Sequence, residues 1–198
     1  MSYVKGNEMQ TRKELVKNKI VEAALEEFVV TGYVNSSMRN IAAQSGITVG
    51  NIYSYFSSKE DLFEHILSDT VEDLQKLLNM DVIHEDAFSS VSMSEMAHAI
   101  AEVFLRNRIQ FLILMDGSAG SKYENIKSQM VQQACSRIVS ESEKSGVNRG
   151  VVDPLLAQAL AVALIEGLIH LFKRSGTNKK KLEKLVGNFL GIIIKGFK

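Results

Sequence analysis

Residues 37–56 contain two short helical segments that are separated by only the four residues "SGIT" at positions 45–48. Ser37 is a favourable N-cap for the first segment, and Gly46 suits the left-handed position that follows a helix. Thr48 can cap the second segment, which we expect to end near Tyr55. Two short helices joined by a turn of small residues form the helix-turn-helix pattern.

The second of these segments has residues that a helix used only for packing would not need. Gly50 costs about 1 kcal/mol relative to alanine in a helix, and a glycine there makes sense if another molecule approaches the backbone closely. Asn51 offers an amide that suits adenine or a phosphate. Lys59 lies in the first turn of the next predicted helix, where the helix dipole disfavours a cation, so a bound anion would account for it.

A helical hairpin without any partner is the alternative interpretation of the same residues. It would explain Tyr53 and Phe56 as core residues, but it leaves Gly50, Asn51, Tyr55 and Lys59 unexplained. The charge balance does not strengthen the case for DNA, because residues 1–66 hold seven Lys or Arg and eight Asp or Glu side chains. The spacing of the residues therefore favours DNA binding, and their charge does not.

The rest of the chain is predicted to be helical throughout. Apolar residues recur at helical spacing, no stretch shows strand alternation, and the chain has a single proline. A fourth helix is expected to begin at "SSKED", where Ser57 and Glu60 have capping-box spacing. We expect a loose tail at residues 1–10, a helix-turn-helix domain at 10–70 with its reader motif at 37–56, and a larger helical domain at 71–198.

Composition sets broad limits on the class of protein. Acidic and basic residues are equal at 23 each, so the net charge indicates no particular partner. Cys135 is the only cysteine, which fits a reducing cytoplasm, and the first ten residues have no apolar core typical of a secretory signal. The apolar run from 155 to 172 contains Gln158, Glu166 and His170, which favours a buried helix over a membrane span.

The stretch "IVEAALEEFVVTGYVNSSMRNIAAQSGITVGNIYSYFSSKEDLFEHIL" resembles the N-terminal domain of the TetR-like (tetracycline-repressor) family of bacterial transcriptional regulators. The resemblance runs over about 50 residues, almost without a gap. It implies an all-helical homodimer that pairs through its last two helices, at about 154–174 and 179–196. It also implies a ligand cavity in the larger domain that controls binding to an operator.

The same resemblance implies roles for individual residues of the reader motif. The DNA contacts would come from Ser37, Arg39, Thr48, Val49, Gly50, Asn51, Tyr53, Tyr55 and Lys59. Among these, Val49, Gly50 and Asn51 would face the major groove, and the others would hold phosphates. Val49 departs from the basic or polar residue that members of the family often have, and a contact with a thymine methyl group is an alternative there.

A set of apolar and polar residues in the larger domain could line the implied cavity. These candidates are Met93, Met96, Phe104, Phe111, Met115, Asp116, Tyr123, Met130, Glu166 and His170. Met and Phe at helical spacing are also typical of a plain core, and the polar positions near Glu166 could line a dimer seam instead. Glu166 and His170 have the spacing of two metal ligands, but no third ligand follows from the sequence, so we predict neither a metal nor a cofactor.

These observations predict a ligand-responsive repressor that binds a palindromic operator as a homodimer and responds to a largely apolar small molecule. One alternative is a DNA-binding protein of the same fold without an inducer, and another is a helical protein that binds small molecules only. An enzyme is not expected, because the sequence has no Ser/His/Asp order, phosphate loop or metal triad.

Overall fold

A computed structural model describes residues 2–79, 90–144 and 152–195, and these ranges are helical without any strand. The helices are α1 (Ser2–Asn35), α2 (Met38–Ser45), α3 (Val49–Ile52), α4 (Lys59–Asn79), α5 (Ser90–Arg106), α6 (Arg108–Asp116), α7 (Ile126–Lys144), α8 (Pro154–Arg174) and α9 (Lys179–Lys195). The predicted all-α fold, with an N-terminal helix-turn-helix followed by a longer helical part, is confirmed.

α1 is longer than the sequence pattern indicated. It begins at Ser2, so the expectation of a loose tail at residues 1–10 was wrong. Those residues include no proline, and extending a helix that is already formed costs far less than starting one. Near its other end, Gly32 leaves helical geometry at φ 70° and ψ 174°, and a last turn continues to Asn35.

The chain divides into two compact units that do not follow the chain order. The first unit contains Met1–Asp69 and Ile109–Glu124, and the second contains Thr70–Arg108 and Asn125–Lys198. The domain prediction placed a boundary after residue 70, but it assigned α6 to the larger domain and not to the first unit. Packing of α6 with α1 joins segments that lie far apart in the sequence, and local periodicity has no information about such a contact.

The core of the first unit is aromatic at its centre. The rings of Phe28 and Phe63 meet edge to face with centroids 4.8 Å apart, and Tyr33 lies 4.7 Å from Phe63. Ile41 of α2 and Ile52 of α3 are completely buried. The reader helices are therefore held to α1 and α4 by apolar burial, with their remaining faces outward.

The end of α6 meets the end of α1 through the backbone. The Tyr33 N–H donates to the Gly117 carbonyl oxygen at 2.8 Å. A Cβ at Gly117 would lie 3.1 Å from the Ile113 oxygen of its own segment, closer than an ordinary contact, and 3.4 Å from the Gly32 Cα. Glycine at 117 therefore avoids crowding at this junction, and glycine at 32 allows its positive φ.

The second unit is a bundle in which α5 packs on α9, and α8 packs on both α7 and α9. The rings of Phe104 and Phe172 are stacked, with centroids 4.2 Å apart and planes 10° from parallel. Asp153 caps α8 by accepting from the Leu155 and Leu156 N–H groups, and Pro154 occupies the first helical turn. An aspartate cap followed by a proline in the first turn is a typical start of a helix.

α8 presents an apolar face that the described residues do not cover. Leu155, Leu156 and Val162 are 75%, 53% and 43% exposed. The length and composition of the helix would allow it to cross a membrane, but core helices of globular proteins can have the same length and composition. α8 buries Ala157, Ala161, Ile165, Ile169 and Phe172, so the sequence-based expectation of a buried helix is met on one face only.

Replacing Gly32 with alanine should destabilise the first unit. The backbone at φ 70° and ψ 174° lies in a region that only glycine adopts without strain, so we expect a loss of about 1–3 kcal/mol in the free energy of unfolding. Gly50→Ala is the matched control, because a Cβ there meets nothing within 4 Å. Urea unfolding followed by circular dichroism measures the stability of both variants. Equal stabilities would contradict the conclusion that the fold requires glycine at position 32.

Candidate nucleic-acid interface

α2 begins and ends with the caps that its sequence predicts. The Ser37 hydroxyl accepts from the Asn40 N–H at 3.1 Å, with Ser37 in extended geometry. Gly46 adopts the left-handed conformation at φ 67°, and the Ile47 N–H donates to the Ala42 oxygen at 3.1 Å. The turn into α3 is therefore closed by hydrogen bonds from its own N–H groups to carbonyl oxygens of α2.

α3 is a single helical turn with an equally well-defined start. Thr48 is its N-cap and accepts from the Asn51 N–H at 3.3 Å. The chain continues in turns to Phe56, whose N–H donates to the Ile52 oxygen at 3.0 Å. Since Ile52 and Phe56 are both buried, this part of the chain has a fixed inner side.

The outer side of α3 is open at its backbone. Gly50 is exposed, and a Cβ built on it would meet nothing within 4 Å. The fold therefore does not require a glycine here, in contrast to Gly32. The absence of a side chain leaves the backbone accessible to a partner from solvent.

The other predicted groove-facing and phosphate-binding residues lie around this opening. Arg39, Thr48, Asn51 and Tyr53 are exposed, whereas Ser37, Val49 and Tyr55 are half-buried. The Asn51 Oδ1 accepts from the Ser54 hydroxyl at 3.2 Å, which helps to orient the amide of Asn51. The structure thus brings these predicted residues together on α2, α3 and the turn that follows.

Lys59 has a role that the sequence did not indicate. Its ammonium donates to the carbonyl oxygens of Tyr33 at 2.5 Å and Ser36 at 3.0 Å, and it lies 4.3 Å from the centre of the Tyr33 ring. Partial burial lowers the pKa of Lys59, and the nearby Glu27 opposes that shift. The position of Lys59 therefore needs no bound anion to explain it. Its ammonium donates hydrogen bonds to carbonyl oxygens at the C-terminal end of α1, where a positive charge is favourable.

The start of α4 is capped one residue away from the predicted capping box. Ser58, not Ser57, accepts from the Asp61 N–H, at 3.0 Å. The Asp61 carboxylate reaches back to the Ser57 N–H at 2.7 Å and to the Ser57 hydroxyl at 2.9 Å, and these bonds lower the pKa of Asp61. The acid of the box is thus Asp61, and the prediction of Glu60 was wrong.

Glu27 is a buried carboxylate that sequence reasoning missed. It is only 4% exposed, and its Oε1 accepts from the Ser37 N–H at 3.2 Å and from the Asn40 side chain at 2.9 Å. Its Oε2 accepts from the Gln44 side chain at 3.0 Å. All three donors belong to α2 or its cap, so Glu27 fixes the position of α2 on α1.

The predicted cavity residues are divided between the two units. Phe111, Met115, Asp116 and Tyr123 lie in the first unit, and Met93, Met96, Phe104, Met130, Glu166 and His170 lie in the second. Phe104, Phe111 and Met130 are buried, as a core or a cavity wall would be. The prediction that these ten residues line a common cavity stays a prediction.

Glu166 and His170, two of the candidate cavity residues, do not lie in the core of the second unit. Both are exposed on α8, and the Glu166 carboxylate pairs with the Lys127 ammonium at 2.7 Å. Helical spacing places them on the outward face because α8 buries Ala161, Ile165 and Ile169 instead. Within the described ranges, no group of three or more His, Cys, Asp or Glu side chains could hold a metal ion.

The capped helix pair, with its buried inner side and open outer side, has the geometry of a helix-turn-helix module. Comparison with known proteins is more specific. Residues 20–66 match the family described as "Bacterial regulatory proteins, tetR family". The match covers α1 from Ile20 to the first half of α4, which includes the whole reader motif.

Individual relatives agree with this match. The chain is 27% identical over 93 residues to an uncharacterised HTH-type transcriptional regulator, YfiR, of Bacillus subtilis, covering 46% of this chain and 45% of that one. A member of the TetR transcriptional regulator family from Streptomyces coelicolor A3 is similar over 90% of both chains, with a TM-score of 0.68 and 14% identity. The regulator FadR from Bacillus subtilis, in complex with stearoyl-CoA, is similar over 91% of this chain and 98% of its own, with a TM-score of 0.58 and 19% identity.

The chain is therefore similar to TetR-family regulators in the sequence of residues 20–66 and in its fold. The match to YfiR spans about half the length of that relative, and the structural neighbours establish the fold alone.

Truncating Glu27 should weaken the attachment of α2. Glu27→Ala leaves three donors without their acceptor and opens space in a buried site, so we expect a loss of about 2 kcal/mol in the free energy of unfolding. Glu26→Ala is the matched control, because Glu26 is exposed on the same helix turn. Denaturant titration compares the two, and a Glu27→Ala protein as stable as the control would show that the hydrogen bonds contribute nothing.

Proposed function

We propose that this chain is a ligand-responsive repressor that binds a palindromic operator as a homodimer, in the cytoplasm. The observation that carries the proposal is the open backbone at Gly50 on a helix whose start is capped and whose inner side is buried. Such a helix can enter the major groove of DNA without rearrangement. In a homodimer, two copies would read half-sites about 34 Å apart, or a multiple of that distance.

The reader face has donors suited to both the bases and the backbone of DNA. Asn51 can donate and accept toward an adenine edge, and Val49 can contact a thymine methyl group. Arg39, Thr48 and Tyr53 are exposed around them, which suits phosphate contacts. In this proposal Lys59 acts mainly by holding the end of α1, and its ammonium would reach a phosphate only by giving up carbonyl partners.

The nearly equal numbers of acidic and basic side chains in residues 1–66 are less unfavourable for DNA binding than the sequence suggested. Glu27 is buried beneath α2, Asp61 accepts from Ser57, and Glu64 forms an ion pair with Lys122. These three carboxylates have partners within the first unit, so their charges are partly compensated. The remaining surface near α3 carries Arg39 without an acidic residue in α2 or α3.

The exposed stripe on α8 supports a homodimer. Leu155, Val162 and Glu166 recur at helical spacing on one outward face, and Ile192 of α9 is also 42% exposed. Burying such apolar side chains against a second copy would be favourable. Two copies of α8 and α9 would then form a four-helix interface, with Glu166 and His170 in its polar part.

The effector in this proposal is a small molecule with a large apolar part. Buried Met93, Phe104 and Met130 of the second unit offer adaptable apolar surface. The structural similarity to FadR, which was solved with stearoyl-CoA, supports an effector with an acyl chain. An effector that favours the form unable to bind DNA would release the operator by no more than its difference in affinity for the two forms.

DNA binding is tested by selecting a duplex from a random pool with the wild-type protein and then measuring fluorescence anisotropy. Asn51→Ala should lose about 1–3 kcal/mol of binding free energy and much of the discrimination at one base pair. Gly50→Ala should also bind more weakly, because its methyl group occupies the space that DNA needs, while its stability is unchanged or higher.

Asn125→Ala is the matched control, since Asn125 is exposed outside the reader. It should bind DNA as the wild type does. Wild-type affinity should also fall steeply with added salt, as phosphate contacts require. Failure of the wild type to select any sequence, or equal binding by Asn51→Ala and the control, would overturn the proposal.

The dimer is tested by placing a charge on the exposed stripe. Val162→Glu should convert the dimer to a monomer, because two carboxylates would be buried close together at the centre of the interface. Gln132→Glu, on the exposed side of α7, adds the same charge elsewhere and should leave the dimer intact. Sedimentation equilibrium measures the mass, and a wild type that is monomeric at micromolar concentration would contradict this interface.

A further inference from the structure

We infer that the second unit binds the anionic head group of an amphiphilic effector, a carboxylate or a phosphate, through Arg108 and Thr70. The inference deepens the proposed ligand response and rests on it. Both side chains have a buried polar atom without a hydrogen-bond partner in the part of the chain that the structure describes. Such atoms are uncommon in folded proteins, and an absent ligand is one explanation of them.

Thr70 is the more deeply buried of the two. It is 1% exposed in the middle of α4, and its Oγ1 makes no hydrogen bond with the described residues. A threonine in a helix can usually donate to the carbonyl oxygen one turn earlier, so an unpaired hydroxyl at this position is unexpected. Valine would fill the same space without leaving a polar group unpaired.

Arg108 supplies a positive charge in the same unit. It is the first residue of α6 and is half-buried, and its Nε is inaccessible to solvent and without a hydrogen-bond partner. No described carboxylate lies within 4.0 Å of its guanidinium. Because a guanidinium stays charged in any protein, a partly buried one is stabilised by an anion.

A hydrogen bond places the two residues in one neighbourhood. Asp73 lies three residues after Thr70, and therefore on the same side of α4. Its Oδ2 accepts from the Asn107 side chain at 2.9 Å, and Asn107 directly precedes Arg108. The turn of α4 that carries Thr70 is thus attached to the residue next to Arg108.

Asp73 does not serve as the missing partner of Arg108. Its Oδ2 is engaged by Asn107, and it lies 3.6 Å from the Arg106 guanidinium, which supplies its counter-charge. The Arg108 guanidinium and the Thr70 hydroxyl are both donors, so an acceptor with negative charge satisfies both.

Buried apolar residues lie four positions along the chain from Thr70 and from Arg108. Leu74, one turn after Thr70 on α4, is 5% exposed, and Phe104 is 1% exposed in the last turn of α5. An isolated inorganic anion would gain nothing from these side chains. An anion that is attached to an alkyl chain would be bound by both kinds of group, which assigns the effector to the amphiphiles.

The test measures binding of three probes with the same alkyl chain to the full-length protein without DNA. Dodecanoate and dodecyl phosphate carry the two candidate head groups, and dodecanol has the chain alone. Isothermal titration below the critical micelle concentrations gives the affinities. The variants are Arg108→Met and Thr70→Val, and Arg174→Met is the control because Arg174 is an exposed arginine at the end of α8 in the same unit.

At least one anionic probe should bind the wild type about ten times more tightly than dodecanol. Arg108→Met and Thr70→Val should each abolish most of this preference and leave dodecanol binding unchanged, whereas Arg174→Met should retain it. Thr70→Val should also raise the melting temperature of the ligand-free protein, which loss of a structural hydrogen bond would not do. The more tightly bound of the two anionic probes identifies the head group.

The inference is overturned if neither anion binds more tightly than dodecanol, or if Arg108→Met keeps the preference. Because these titrations contain no DNA, their failure leaves operator binding unaffected. Conversely, a protein that selects no duplex from the random pool would refute the proposed function, whatever the outcome of the titrations.

Discussion

The first unit depends on how the end of α1 is closed. Gly32 turns the backbone so that the Tyr33 N–H reaches Gly117, and the Lys59 ammonium then satisfies carbonyl oxygens of Tyr33 and Ser36. These contacts connect α1, α4 and α6 at one point. α2 begins directly after it and is held by Glu27, so the direction of the reader follows from this closure.

The sequence predicted those parts of the fold that depend on neighbouring residues. The caps at Ser37 and Thr48 and the left-handed Gly46 each involve partners within a few residues, and the structure has all of them. The outward position of Gly50 and Asn51 followed from the same local pattern. The start of α4 was placed one residue away because adjacent serines offer equivalent hydroxyl groups.

Features that depend on distant partners could not be predicted in this way. Glu27 looks like an ordinary surface acid until α2 covers it, and the carbonyl partners of Lys59 lie 26 and 23 residues away in the sequence. The placement of α6 in the first unit and the exposure of Glu166 and His170 also depend on packing between helices. A periodic pattern identifies an apolar face, but it does not identify what covers that face.

The discontinuous first unit has a consequence for synthesis of the chain. The segment Ile109–Glu124 contributes Ile113, Leu114 and the Gly117 contact, and 39 residues of the second unit separate it from Asp69. The reader helices leave the ribosome well before that segment, so the domain cannot complete its core until residue 124 has been translated. Because translation proceeds at roughly 5–20 residues per second, the head remains without its final partner for several seconds. During this interval its exposed apolar surface is available to chaperones.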